Sequence, residues 1–341
     1  MKVAIFGTGG AALATAALVS ERGCKPILVS VTGKGGEKLH MRTLYATGAI
    51  NGEVPIELAD SAEAALAQTD DLVIATSADR YRDVFDAIVP FTETRHRILF
   101  SAELSQASKT LSRELQKRGV TPVITALSTT LATGRRGPDA NVKVGLIRKS
   151  SLAHTLPTGR GVACSQIFGD VLTPCPSHLR LTLSNLNPIV HIPNALCNVT
   201  RIEKGEEWSN YGGITAGVAR FLTGLDNERI TVARALGEDV IAFKEHYERS
   251  HGFPSSFSIA DMTAELHLKR NGLPKGPTTL STRYITEDVP YGLVVLERLG
   301  KLSAMDTPTT SSAITICAAI YGRDFRSENP FLGIFGETES A

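Results

Sequence analysis

Apolar and polar positions alternate in blocks along the first part of the chain. Lys2–Phe6 reads as a short buried strand, and an Ala/Leu-rich stretch to about Ser20 has helical composition and stops at Gly23. Pro26–Val31 is a second apolar run, and Asp70–Ser77 is a strand that enters a polar loop. Ala78–Val89 then predicts a helix, Arg97–Phe100 a strand, Ser108–Arg118 a helix and Val120–Ala126 a strand. Strands separated by helices of about a dozen residues predict a doubly wound, mostly parallel α/β sheet. After about residue 170 the pattern changes to helical periodicities: Leu179–Leu196, Thr215–Ile241, Ile259–His267, Val289–Leu299 and Ala313–Tyr321. The expected organisation is a Rossmann-type domain over 1–165 followed by an all-α domain over 166–341. Leu156-Pro-Thr-Gly159 and Thr173-Pro-Cys-Pro176 mark irregular backbone near the boundary, and the cleft between two such domains is the expected substrate site.

The turn after the first strand, Gly7-Thr-Gly9-Gly-Ala-Ala12, carries the first chemistry. A G-x-G-x-x-G/A run is informative only between a strand and a helix, and here it stands there. Gly7 permits the tight turn, Gly9 lets the backbone approach a pyrophosphate, and Ala12 allows close helix–strand packing. The helix N-terminus adds free N–H groups for the phosphates. Gly7, Thr8, Gly9, Gly10, Ala11 and Ala12 are therefore expected to bind a dinucleotide, with Thr76 and Ser77 lining it beyond a strand end. Ala75–Ala78 and Ser101–Glu103 occupy the carboxyl ends of neighbouring strands, where such ligands sit. An acid at the end of the second strand would bond a ribose 2′-hydroxyl. The chain instead has Ser30, Thr32 and Lys34 there, with no carboxylate until Glu37, which favours NADP(H) over NAD(H). The competing reading is a solvated lysine in a surface loop.

Lys plus Arg number 36 against 35 Asp plus Glu, a balance that leaves no electrostatic footprint for nucleic acid or an anionic membrane. No apolar run approaches the ~18 residues of a membrane span. The five cysteines lack C-x-x-C spacing, which argues for reduced thiols in a cytoplasmic protein and against a zinc site.

His191 stands apart from the other seven histidines. It lies between Pro188 and Pro193 in Leu186-Asn-Pro-Ile-Val-His-Ile-Pro, where each proline removes an N–H and disturbs a helix. Asn187 sits four residues earlier, on the same helical face. Alone, a histidine on an apolar face is more often a satisfied core residue. Asp288, in Thr286-Glu-Asp-Val-Pro290, could merely cap a helix start. Together, a group that titrates near neutrality and a carboxylate that fixes its tautomer form an acid/base pair. Arg283, five residues before Asp288, has the planar fork that clamps a carboxylate.

Leu183–Asn198, Leu225-Asp-Asn-Glu-Arg229 and Arg283-Tyr-Ile-Thr-Glu-Asp-Val-Pro-Tyr-Gly-Leu293 resemble the opine dehydrogenase family of octopine/nopaline dehydrogenase type. The resemblance runs from the glycine turn to about Gly300. It implies a Rossmann domain followed by a helical domain, and an NAD(P)H-dependent union of an amino acid with a 2-oxo acid through an imine. It also implies that His191 is the general acid/base, Asp288 its orienting partner, and Arg283 the clamp for the oxo-acid carboxylate; Asn187, on the face of His191, is the further candidate for substrate binding. Partners would be small molecules, and the resemblance points to a homodimer. Two departures leave the amine substrate open. Members often carry an acid-Thr pair with a nearby Pro after the last Rossmann strand, where this chain has Ala126-Leu-Ser-Thr-Thr-Leu-Ala132. They often show Thr-Pro-Glu in the central helical region, where it has Tyr211-Gly-Gly-Ile-Thr-Ala-Gly-Val218. The rival readings are a hydroxyacid or ketopantoate-type reductase and a non-enzymatic nucleotide sensor. Ketopantoate-type enzymes usually work with a lysine in the first helix of the second domain, and Arg180–Asn198 contains none.

Overall fold

The computed structural model of the protein describes residues 1–33 and 42–336. They form two compact units, Met1–Thr182 and Leu183–Ala341. In the first, the chain runs β1 (Lys2–Phe6), α1 (Gly10–Glu21), β2 (Lys25–Val29), β3 (Thr43–Gly48), β4 (Gly52–Pro55), β5 (Glu57–Ala59), α2 (Ala62–Leu66) and β6 (Asp71–Ile74). It continues through α3 (Tyr81–Ile88), β7 (Arg97–Phe100), α4 (Ala107–Gln116), β8 (Val123–Leu127), β9 (Ala132–Arg136), β10 (Asn141–Ile147), β11 (Ser151–Leu156), α5 (Ser165–Phe168) and β12 (Leu172–Pro174). The helix α6 (His178–Leu183) follows and spans the division between units.

The main sheet has the order β12-β11-β8-β7-β6-β1-β2-β5. From β8 to β5 every pairing is parallel, and β11 joins β8 antiparallel. The doubly wound, mostly parallel sheet predicted from the strand–helix alternation is present. Its central strands are buried on both faces, which explains their unbroken apolar character.

A second sheet, β4-β3-β10-β9, was not predicted. Its strands are half polar (β9 reads Ala-Thr-Gly-Arg-Arg), and β10 is interrupted by a register shift between Val144 and Leu146, so no clean two-residue period survives. The helix α1 packs in one core with residues of both sheets and is buried continuously from Ala12 to Val19. A helix covered on all sides loses the polar stripe that marks a surface helix. Its small residues allow the close approach: a Cβ on Gly10 would meet the Gly134 carbonyl oxygen of β9 at 2.2 Å.

The second unit is helical: α7 (Asn187–Cys197), α8 (Val199–Glu203), α9 (Ala216–Ala235), α10 (Phe243–His251), α11 (Ile259–Lys269), α12 (Arg283–Thr286), α13 (Val294–Leu302) and α14 (Pro308–Tyr321). A π-helical turn, Val289–Leu293, links α12 to α13. The predicted helix over Leu179–Leu196 is two helices, broken at Ser184–Leu186, where the Asn187 N–H bonds Asn185 Oδ1 at 3.0 Å and Pro188 opens α7. The helix predicted to Ile241 stops at Ala235, because Gly237 takes φ 77° and turns the chain away.

Buried polar ladders fix α7 and α9. Asn194 Nδ2 donates to the Asn210 backbone carbonyl at 2.8 Å, and Asn198 Nδ2 donates to the Asn194 carbonyl at 2.8 Å. Arg229 and Asp226 form a buried pair at 2.6 Å. The guanidinium also donates to the Leu183 and Ile241 carbonyls, and Asp226 accepts the Phe243 N–H. Glu228 accepts the Thr309 and Thr310 N–H groups, which places a carboxylate on the N-terminus of α14. The Asp-Asn-Glu-Arg229 segment is thus structural bracing.

Candidate active site

The glycine turn ends β1 and begins α1. Gly7 has φ 137°, and a Cβ there would lie 2.5 Å from the Ala75 carbonyl oxygen, so only glycine fits. Its N–H bonds the Val29 carbonyl at 3.0 Å, tying the turn to β2. Gly9 is the N-cap of α1 with φ −79°, and a Cβ there would meet nothing within 4 Å. No side chain caps this helix and no acid occupies its first turn, so its leading N–H groups are left to an anion.

A cavity of about 220 Å³ opens at this turn, lined by Gly7, Thr8, Gly9, Ser30, Val31, Thr32, Thr76, Arg80, Asp83 and Val84. Six of the expected cofactor residues, Gly7, Thr8, Gly9, Ser30, Thr32 and Thr76, line it. Gly10 packs on β9, Ala12 is fully buried, and Ala11 stands beside them in the first turn of α1. The Ser77 hydroxyl donates to the Asp79 carboxylate. Lys34 lies outside the described residues. Ser101 and Glu103 are held in the interior, Ser101 by a 2.9 Å bond to Thr130 Oγ1 and Glu103 by His178 at 2.7 Å. The cradle that a Cβ would fill at Gly7, the open space at Gly9 and the uncapped helix fit a dinucleotide pyrophosphate.

Sequence reasoning missed Arg80, Asp83 and Val84. They follow β6 by one further turn, a position that the rule about strand carboxyl ends marks out. Arg80 shares its charge with Asp79 and Asp83, each at 3.3 Å. Arg136 of β9 was also missed as a neighbour of the turn. Its Nη1 donates to the Thr8 carbonyl at 2.7 Å.

The second constellation lies in the helical unit. His191 sits in the middle of α7, and Pro193 two residues on removes the N–H that would close the turn on the Ile189 carbonyl. The helix nevertheless continues to Cys197. His191 Nδ1 lies 2.7 Å from Asp288 Oδ2, with side chains only 12% and 6% exposed. Residues 97 positions apart in sequence are thereby joined. A carboxylate on Nδ1 holds its proton there and leaves Nε2 as the free ring nitrogen. The Tyr284 ring stacks on the imidazole with centroids 3.8 Å apart and planes within 4°, a contact the sequence reading did not anticipate. Its position four residues before Asp288 was the available signal.

Arg283 begins α12. Its guanidinium is 64% exposed and lies 3.9 Å from Glu287, which is too loose for a hydrogen bond. Asn187 begins α7, one turn before His191. All five cysteines are free thiols, and burial pushes the Cys317 thiol up to about 12. Among the described residues no cluster of His, Cys, Asp or Glu could hold a metal, and no helix is long and apolar enough to cross a membrane.

Residues 174–321 match the family described as NAD/NADP octopine/nopaline dehydrogenase, alpha-helical domain. An opine dehydrogenase from Arthrobacter sp. (strain 1C) is 27% identical over 282 residues, covering 80% of this chain and 76% of the relative. A solved structure of octopine dehydrogenase with NADH and L-arginine superposes with a TM-score of 0.76 at 16% identity, covering 94% of this chain and 90% of the other. The NADP+-bound yersinopine dehydrogenase gives 0.75 at 17% identity, covering 97% of each chain. At such identities these two establish the common fold. Residues 174–321 thus carry the alpha-helical domain of octopine/nopaline dehydrogenases, and over most of its length the chain is similar to opine dehydrogenases, which marks it as an NAD(P)-dependent oxidoreductase.

Proposed function

We propose that the protein joins an amino acid to a 2-oxo acid by reductive condensation, with His191 as the general acid/base. The observation that carries this reading is the 2.7 Å bond between His191 Nδ1 and Asp288 Oδ2. A general base must be held in one tautomer with its working nitrogen free, and this bond does both. Nε2 takes a proton from the ammonium group of the amino acid, so that the free amine can attack the carbonyl carbon of the oxo acid. Attack places the amine on that carbon, and one N–H proton passes to the former carbonyl oxygen to give a carbinolamine. His191 then returns its proton to the hydroxyl, water leaves, and a protonated imine remains. The Asp288 carboxylate, bonded to Nδ1, stabilises the imidazolium that forms in between. Arg283 clamps the oxo-acid carboxylate with its exposed planar fork, and the Asn187 amide bonds the substrate one turn before His191. The nicotinamide cofactor supplies the hydride that makes the imine a secondary amine.

Ser30 and Thr32, with no carboxylate at the end of β2, support NADP(H) over NAD(H). The ratio of apparent affinities for NADPH and NADH measures this directly, and a clear NADH preference would reverse it.

The decisive assay is reduced-cofactor consumption with pyruvate or 2-oxoglutarate, with and without a panel of amino acids. Consumption that requires both partners is the expected outcome. Consumption with the oxo acid alone would make the protein a reductase of 2-oxo acids instead.

A further inference from the structure

We propose that Tyr284 is a positioning residue for the acid/base chemistry, holding the His191 ring in the plane in which Nε2 works. This rests on the reading of His191 as the acid/base.

An imidazole that bonds a carboxylate through Nδ1 is fixed at one edge only. The ring hangs from Cβ, so it can still move by coupled rotation about χ1 and χ2 within the angular tolerance of that bond, and this rotation carries Nε2 through an arc. The Asp288 bond therefore sets the tautomer without setting the direction of the free nitrogen. A flat group laid against the ring face removes the remaining motion. Tyr284 is such a group, with its ring 3.8 Å from that of His191 and parallel within 4°.

The stack is imposed by the backbone. Two neutral rings left to themselves favour offset or edge-on contacts over a near-eclipsed sandwich. Here the Thr282 hydroxyl oxygen accepts the Tyr284 N–H at 3.3 Å as the cap of α12, and the Thr286 hydroxyl donates back to the Thr282 carbonyl at 3.1 Å. That short turn presents Tyr284, and Asp288 stands four residues later on the same face. One segment thus grips the imidazole twice, at its edge through Asp288 and on its face through Tyr284. Plain packing explains less, because Tyr284 is only half-buried and its ring partner is the imidazole that bonds Asp288.

Steady-state turnover of Tyr284→Leu and Tyr284→Phe, with the amine and oxo acid found by the condensation panel, tests this. Leu removes the flat face at similar bulk, whereas Phe keeps it and loses only the hydroxyl. A misdirected group costs on the order of tenfold to a hundredfold in rate. The expected result is a kcat lower by that factor in Tyr284→Leu, with the oxo-acid KM and the NADPH Kd within about threefold of wild type. Tyr284→Phe should stay within about threefold throughout. If Tyr284→Leu fails to fold, Tyr284→Met takes its place. A wild-type kcat in the Leu variant, or a Phe variant as slow as Leu, overturns the proposal. His191→Ala in parallel separates the two readings. Full turnover there would sink the acid/base assignment, whereas an inactive His191→Ala beside a fully active Tyr284→Leu would sink only the role of Tyr284. In the ligand-free protein, imidazole 15N–1H correlation should show one sharp His191 tautomer in wild type and Tyr284→Phe and a broadened one in Tyr284→Leu. A sharp signal in all three would count against the proposal whatever the substrates prove to be.

Discussion

Gly292 in the π-helical turn lies directly against Pro188 in the first turn of α7: a Cβ on Gly292 would sit 2.3 Å from Pro188 Cγ and 2.8 Å from its Cβ. Proline cannot swing aside, so a side chain at 292 would push the two segments apart. Those segments carry Asp288 and His191, whose 2.7 Å bond tolerates little displacement. Gly292→Ala should therefore lower stability by about 1–3 kcal/mol, the usual cost of overpacking, and reduce turnover further than the stability loss explains. Thermal unfolding and kcat measured together check this. Gly333→Ala, where a Cβ would meet nothing within 4 Å, serves as the control and should change neither.

Asp288→Asn keeps the shape of the partner and removes its charge. An amide can present its nitrogen to Nδ1, which would move the ring proton to Nε2 and block the base. Loss of a positioned general base typically costs about 10²–10⁴ in rate. The expected outcome is a kcat reduced by about a hundredfold or more with cofactor affinity unchanged. Wild-type turnover in this variant would show that Asp288 only packs beside His191.

The parts of the fold written in local, repeating signals were legible in the sequence. The parallel strands, buried on both faces, announced themselves as apolar runs, and the glycine turn was readable because Gly7 has no substitute at φ 137°. The β3/β4/β9/β10 sheet was not legible, since its polar strands and shifted register carry no clean period. The pairing of His191 with Asp288 was inferred from chemistry and resemblance, because a contact across 97 residues leaves no trace in spacing. The Tyr284 stack and the Arg136 bond to Thr8 depend on side-chain directions set by tertiary packing, which no local pattern encodes.

Two glycines of one turn should respond differently to the same substitution. Gly7→Ala meets both a positive φ and the Ala75 carbonyl, so it should destabilise the first unit by about 2 kcal/mol or more. Gly9→Ala has φ −79° and open space, so its stability should lie within about 0.5 kcal/mol of wild type. The new methyl would nevertheless stand where the pyrophosphate must approach the backbone. Gly9→Ala should therefore fold normally and bind NADPH about tenfold or more weakly by fluorescence titration. Unchanged binding would move the cofactor away from this turn.

The helical unit contains an acid-sensitive brace. Glu297 in α13 bonds Arg326 through two hydrogen bonds of 2.7 and 2.8 Å and accepts the Ser311 hydroxyl at 2.7 Å. The Arg326 guanidinium, outweighing the opposing effect of burial, holds its carboxyl down at about 2, against an ordinary value near 4.5. A carboxylate whose folded pKa is depressed binds its proton more readily in the unfolded chain. Its contribution is therefore complete above about 4.5 and is lost as pH falls from there toward 2. Because Arg326 is more than one-third exposed, solvent screening limits the ion pair to about 1 kcal/mol. Urea midpoints measured between pH 6 and pH 3 should fall for the wild-type protein. Glu297→Gln should start lower at pH 6 and decline less steeply, because the group that takes up the proton is gone. Parallel curves for the two proteins would place the acid sensitivity elsewhere.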